Sequence, residues 1–315
     1  MSKKKRLSFL LDEEDTTSGN VQVDDDSFFN PVNKTNKIRY RCEQTNSTHS
    51  DKSIIFHANI KKEYLVEFLK KEKNIVFNSV LEDYVYSSEP KHFEIAMDAF
   101  RDLEYWKENI SLQLNENGKI KQILNLNNLS DSWIKFKTKV LPDTDFFQEL
   151  KKANKNAAKD IIDNGDIEFK NEKNLIKTLD KNVFYNILLD SYLIDLDHKT
   201  KITTLTFISQ IFQKVKVKLE ISETTIKEDN DFIYKRKVGT LIRDTLDNEE
   251  LIRQYNLFYK PMIQYNFTEY NYIYRQSYRI DKKTGYITEG KAVFSEQIKN
   301  NYEFITEFNL KQVKI

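Results

Sequence analysis

The sequence predicts an α+β fold: two antiparallel β-sheet regions with packed helices, joined by a helical middle segment. Three observations carry this. Residues 38–142 and 204–315 hold short runs rich in aromatic and β-branched residues, and "KVKVKLEI" at 214–221 alternates strictly between polar and apolar. Each region contains one tight-turn glycine, Gly118 or Gly285, between two such runs. Between the regions, residues 143–203 carry apolar positions at helical spacing.

Taken in order, residues 1–37 read as a disordered charged tail, with KKKR, DEED and DDD blocks among Ser, Thr and Asn. Inside it, "DSFFNPV" sets Phe28 and Phe29 as candidate anchors for a partner's groove. Residues 38–142 form an α+β domain. "KIRYRCEQTN", "SIIFHANI", "NIVFNSVL" and "DYVYSS" are its strands. A helix follows, with Ser88 as N-cap, Pro90 in its first turn, and Phe93, Ala96, Phe100 and Leu103 on one stripe. Asn117-Gly118 then turns a hairpin, and a short helix carries Trp133 and Phe136 before Pro142.

Residues 143–203 read as helical. Gly165 is expected to end one helix as a left-handed C-cap, and Leu175, Leu179, Val183, Ile187 and Leu188 share the next stripe. Residues 204–315 form a β-rich domain, with a short helix at "NEELIRQYNLFY" and a closing hairpin, "EYNYIYRQSYRIDKKTGYITEG". Alternation puts Tyr270, Tyr272, Tyr274 and Tyr278 on one face with Gln276 and Ile280; Arg275 and Arg279 take the other.

Composition narrows the function. The 315 residues are 39% hydrophobic, with 17 Tyr and 21 Phe, enough to fill a core. Net charge is +1, so no global field draws the chain to nucleic acid or anionic lipid. The single cysteine, Cys42, excludes an internal disulfide and multi-cysteine metal sites. The amino terminus lacks the apolar run of a secretory signal, and nothing approaches the ~20 apolar residues of a membrane helix. A reducing cytoplasm is the expected setting.

None of the six glycines forms a GxGxxG or GxxxxGK[ST] phosphate loop, and no GxSxG or HExxH motif occurs. No cofactor is therefore expected, and no catalytic residue is assigned. Asp195, Asp197 and His198 have metal-ligand types in one cluster, but they fall where a helix ends and polar residues cap it. Glu94, Asp98 and Asp102, one turn apart, read as the wet face of a helix rather than an acid–base pair. Cys42 as a nucleophile would need His57 across a strand, and its place in an alternating run suits a buried thiol.

Arg253, Lys260, Arg275 and Arg279 among tyrosines suggest a single-stranded nucleic-acid platform. That Arg275 and Arg279 alternate away from the rings disfavours it. Tyrosine faces also suit protein contacts, since the ring buries while the hydroxyl stays hydrogen-bonded. The expected function is a non-enzymatic, protein-binding adaptor or structural component of an assembly, contacting its partner through Phe28, Phe29, Tyr270, Tyr272, Tyr274 and Tyr278. The alternatives are a small-ligand or metal-dependent α+β enzyme and the nucleic-acid reading.

Asn117-Gly118, Ile120, Ile123, Asn125 and Trp133, within about 35 residues, form a hairpin-then-tryptophan-helix element. It resembles a feature of uncharacterised bacterial cytoplasmic proteins, some encoded beside contractile injection machines. The resemblance implies a component of an assembly. No functional residues carry over.

Overall fold

Long alternating runs make strands whose two faces differ in polarity, and here those strands pair into one sheet. A computed structural model describes residues 36–51, 53–71, 74–115, 118–191 and 200–313. The chain opens with β1 (Asn36–Ser50), β2 (Ser53–Lys71) and β3 (Asn74–Glu89), then α1 (His92–Lys107) and the hairpin β4 (Ile110–Leu114) and β5 (Ile120–Ile123). Five helices follow: α2 (Leu126–Lys135), α3 (Asp145–Ala153), α4 (Lys155–Lys170), α5 (Glu172–Lys181) and α6 (Val183–Ser191). The second half runs β6 (Lys201–Ile208), β7 (Lys216–Glu228), β8 (Phe232–Leu241), α7 (Asn248–Gln254), α8 (Lys260–Ile263), β9 (Tyr270–Asp281), β10 (Ile287–Ile298) and β11 (Tyr302–Val313).

The expectation of two sheets joined by a helical segment is corrected by the pairing. All strands form a single 11-stranded antiparallel sheet in the order β5-β4-β3-β2-β1-β11-β10-β9-β8-β7-β6. The join is β1 against β11, in register from Arg39↔Val313 to Ser50↔Tyr302. The first and last strands of the sheet region therefore close the fold, and the helical middle lies on a face instead of between sheets. Residues Thr35–Ile315 cluster as one compact unit.

The sheet curls. β3 and β6 are eight steps apart in strand order, which would place them roughly 38 Å apart in a flat sheet. Yet Tyr84 of β3 and Phe207 of β6 line the same cavity. Its inner face is mostly apolar: Tyr40, Tyr64, Phe77, Phe308 and Tyr278 are all buried there. The outer face carries charge pairs such as Arg39–Glu82 (2.7 Å) and Arg41–Glu63 (2.9 Å).

α6 fills the inside of the curl. Its Phe184 ring stacks on Tyr64 (centroids 4.0 Å, planes 9° apart), and Tyr185 meets Phe77 edge-on at 6.1 Å. Each such pair contributes ~0.5–1.5 kcal/mol beyond area burial. Gly290 lets the helix approach β10, because a Cβ there would lie 3.1 Å from Ile187. A second core, built from Phe212, Val217, Leu219, Leu251, Tyr255 and Ile298, joins α7 to the far half of the sheet.

Several local expectations change. "NIVFNSVL" and "DYVYSS" are one strand, β3, carried past its polar break by a register shift opposite Glu63/Tyr64. Ser88 stays in β3 and does not cap α1, whose N-cap is Lys91 without a side-chain bond. On that helix Ala99 and Leu103 are buried while Phe93 is exposed. Gly165 lies inside α4 instead of ending it.

The helices break at side-chain caps. Asn154 accepts from Ala157 N–H (3.1 Å), Asn171 from Lys173 (3.0 Å) and Asn182 from Phe184 (3.0 Å), so each asparagine ends one helix and starts the next. The hairpins around Gly118 (φ 72°) and Gly285 (φ 73°) form where expected.

Candidate functional site: a cavity inside the curled sheet

The cavity of about 500 Å³ lies between the two cores, with Phe294 packing against both. β1 and β2 supply Cys42, Gln44, Ile60, Lys62 and Tyr64, and β11 adds Thr306 and Phe308. β9 supplies Tyr272, Tyr274 and Gln276. Leu205–Ile208 of β6 and the start of α6 complete the lining. Its volume suits a small organic molecule.

One wall is aromatic. Phe207 lies 4.5 Å from Tyr272, and Tyr274 lies 4.9 Å from Phe294, centroid to centroid. Burial pushes the Tyr272 and Tyr274 hydroxyls above the ordinary phenol value, so both stay protonated at neutral pH.

The opposite wall is ionic, with one ammonium set between two carboxylates. Lys62 Nζ donates to Glu104 (2.8 Å) and Glu108 (3.3 Å). Glu108 also accepts from the Tyr185 hydroxyl at 2.6 Å. Burial alone would favour neutral forms, pulling Lys62 down and Glu104 up. The mutual attraction, helped by Lys107 on the Glu104 side, outweighs it, so Lys62 is raised and Glu104 lowered. The Cys42 thiol nearby is pushed up by burial and held protonated.

Between the walls lies Gln276, 1% exposed. Its Nε2 donates to Asn186 Oδ1 of α6 at 3.1 Å. Its Oε1 is buried with no hydrogen-bond partner. An unpaired buried acceptor costs ~1–3 kcal/mol.

The mouth is held by a buried carboxylate. Glu296 of β10 accepts from Ser209 Oγ, from the Gln210 N–H at 2.8 Å and from the Tyr270 hydroxyl at 2.9 Å. Burial raises its pKa in spite of these donors. Gln254 of α7 adds a two-way clamp on Gln213, accepting at 2.8 Å and donating at 2.9 Å.

The residues expected to bind a partner divide three ways. Tyr270 and Tyr278 are covered from within the chain: the first by the Glu296 loop, the second through a 3.1 Å bond to Glu223. Tyr272 and Tyr274 line the cavity. Phe28 and Phe29 lie outside the described residues, as do Asp195, Asp197 and His198.

Glu94 and Asp98 tie α1 to β3: Glu94 accepts from the Ser88 N–H at 2.8 Å, and Asp98 from Tyr86. Arg275 is exposed on the outer face, and Arg279 pairs there with Glu289 at 3.2 Å, away from the tyrosines. Among the described residues, no three His, Cys, Asp or Glu side chains converge as a metal cage.

Sequence reasoning passed over Lys62, Asn186, Phe207, Phe294 and Gln276. Only Gln276 left a signal, as the one polar residue interrupting a tyrosine stripe.

No family model and no curated protein matches the chain. Among solved structures it is similar to a lipovitellin described for its lipid–protein interactions, at 9% identity and a TM-score of 0.43. That match covers 88% of this chain and 25% of the other, so the chain spans about a quarter of the lipovitellin. It is also similar to an outer-membrane channel from Pseudomonas putida F1, at 6% identity and a TM-score of 0.18, covering 93% of this chain and 100% of the other. At these scores neither likeness says what this chain binds. No helix among the described residues is long and apolar enough to cross a membrane.

Proposed function

We propose that this protein is a non-enzymatic binder that holds a small organic molecule inside its curled sheet. The observation that carries the reading is the 500 Å³ cavity, aromatic on one side and polar on the other, bordered by α6 and the Glu296-anchored loop. Apolar walls with a few placed polar groups are the usual composition of small-molecule sites. The sequence grounds for a cytoplasmic setting form part of the proposal.

Native mass spectrometry of the full chain, purified without denaturation, tests it: a bound small molecule is the expected result. Leu205→Trp, on the exposed edge strand β6, fills the mouth and is expected to remove that mass without lowering the melting temperature. An empty protein in native spectra, with no thermal shift across a library of small apolar compounds, overturns the reading.

A second reading, the protein-binding adaptor, is favoured by one observation. Leu257, Phe258, Met262 and Tyr265 are exposed within nine residues, beyond the core that α7 and α8 help to build. Phe28 and Phe29 would be further anchors. A stoichiometric partner lost on Phe258→Ser or on removal of residues 1–34, with the fold intact, supports it; no such partner ends it.

A further inference from the structure

We propose that this protein pairs with a second copy of itself along β6. The two strands run antiparallel about a twofold axis at Leu205, making one sheet continuous through both chains. The proposal stands whether or not the cavity is filled.

A sheet edge presents a row of backbone N–H and C=O groups that another strand satisfies in series. Natural edges are blunted by shortness, by charge or by cover. The β5 side of this sheet is blunted in all three ways. β5 is four residues long and carries Lys121, and its Ile123 N–H donates to Glu172 at 2.8 Å. Where β3 runs on past β4, the Tyr84 N–H donates to Asp83 at 2.9 Å and the Ser88 N–H to Glu94 at 2.8 Å.

β6 has none of these devices. It is eight residues long, its one charge is Lys201 at the end, and the chain stays uncharged from Ile202 to Gln213. It lies last in the strand order and pairs with β7. Among the described residues, no side chain caps its backbone. Its side chains are exposed on both faces, with Ile202 at 63% and Ile208 at 43%. An uncharged, β-branched edge of this length fits an extended strand.

The identity of that strand follows from the other edge. Joining β6 to the β5 side of the next copy would grow an open fibre, but that side is capped. β6 on β6 is the self-pairing that remains, and it closes at two chains. With Leu205 opposite itself, Ile202 faces Ile208, Thr204 faces Thr206 and Thr203 faces Phe207. Apolar and Thr–Thr pairs are favourable cross-strand neighbours. The two Lys201 side chains fall at opposite ends of the seam, roughly 27 Å apart, so like charges do not meet.

Leu205 and Phe207 lie opposite the buried Leu219 and Val217 of β7, and both line the cavity. The seam therefore runs along the cavity lining, and each copy sets a second Leu205 beside it. Alternation puts Thr204 and Thr206 on the outer face, where substitution leaves the cavity alone.

Sedimentation velocity of the full chain from about 1 to 100 µM is expected to show the mass passing from monomer to dimer. Two double variants test the seam: Thr204→Lys with Thr206→Lys, and Thr204→Glu with Thr206→Glu. Their neighbours on β7 are Glu220 and Lys218, so each variant gains one attraction and one repulsion within the chain. Each alone is expected to stay monomeric with the melting temperature of the wild-type monomer, because like charges meet across the axis. An equal mixture of the two is expected to recover the dimer.

Cross-linking checks the register without adding charge. Leu205→Cys is expected to give a disulfide-linked dimer under mild oxidation, and Ile55→Cys, exposed on β2, is not. A wild-type chain that stays monomeric to about 100 µM overturns the proposal. So does a dimer that survives in both double variants, one that their mixture fails to restore, or one that Leu205→Cys leaves uncrosslinked. If the double variants fail to fold, the wild-type mass and the two cysteine variants decide.

Discussion

Gly165 sits mid-helix in α4, and a Cβ built on it would fall 2.2 Å from the Trp133 ring. Trp133 cannot yield, since it stacks on Phe169 at 5.4 Å and its Nε1 donates to Asp166 at 2.8 Å. Alanine normally gains about 1 kcal/mol over glycine in a helix, but overpacking costs ~1–3 kcal/mol. Gly165→Ala is therefore expected to lower the chemical denaturation midpoint, the reverse of its helix propensity.

Lys62 gives a second residue-scale prediction. Lys62→Met strands Glu104 and Glu108 in the interior and is expected to cost ~3–5 kcal/mol at neutral pH. The pH dependence carries a sign. The folded pKa of Glu104 is depressed, so its contribution is present above the unfolded carboxylate value and lost as pH falls through the folded one. In the variant that carboxylate has lost its buried cation, so denaturation midpoints measured across acid pH should no longer fall in step with the wild type.

At the scale of elements, the loop between β6 and β7 shows how one buried carboxylate shapes the cavity mouth. Glu296 has a raised pKa because burial dominates its hydrogen-bond donors. The sign is opposite to that of Glu104: the folded state holds the proton more tightly, so stability from this group falls as pH rises from the unfolded value through the folded one. Glu296→Gln removes that slope and keeps one acceptor oxygen for the Gln210 N–H. The expected result is a variant at least as stable as wild type at neutral pH and less stable only in acid, read by thermal melts from pH 4 to 8.

The β9–β10 hairpin was legible at this scale. Gly285 marks the turn, and simple alternation put Tyr270, Tyr272, Tyr274, Gln276 and Tyr278 on one face, where they are found. α6 was legible only as apolar and helical. Nothing in "VFYNILLDS" says that Phe184 lies on Tyr64, because that contact spans well over a hundred positions of chain.

For the whole molecule, the decisive contact is β1 on β11. Thr306 Oγ1 donates to Asn46 Oδ1 at 3.0 Å across 260 positions. Contacts so distant in sequence add loop-closure cost and slow folding. They also bind both halves into one cooperative unit. Both tryptophans, Trp106 and Trp133, lie in the first half. Their fluorescence should nevertheless lose its folded signal at the same denaturant concentration as the far-ultraviolet signal of the whole sheet. Removing residues 302–315 should shift both midpoints together. Separate transitions would mean that the halves fold apart in spite of the shared sheet.

By itself the sequence determined what short-range physics controls: the strands from period-two alternation, the hairpins from Gly118 and Gly285, the helical stretch from its apolar spacing, and the shared face of the tyrosines. Gly165 was misread because its reason is a ring 32 positions earlier, not its own backbone. Only the tertiary structure decided that two β-rich regions are one curled sheet, that the helices line its inside, and that Lys62, Gln276 and Phe207 meet around a cavity. Local propensity is set by neighbours along the chain. Which edges pair, and which faces enclose a space, are set by burial across the whole of it.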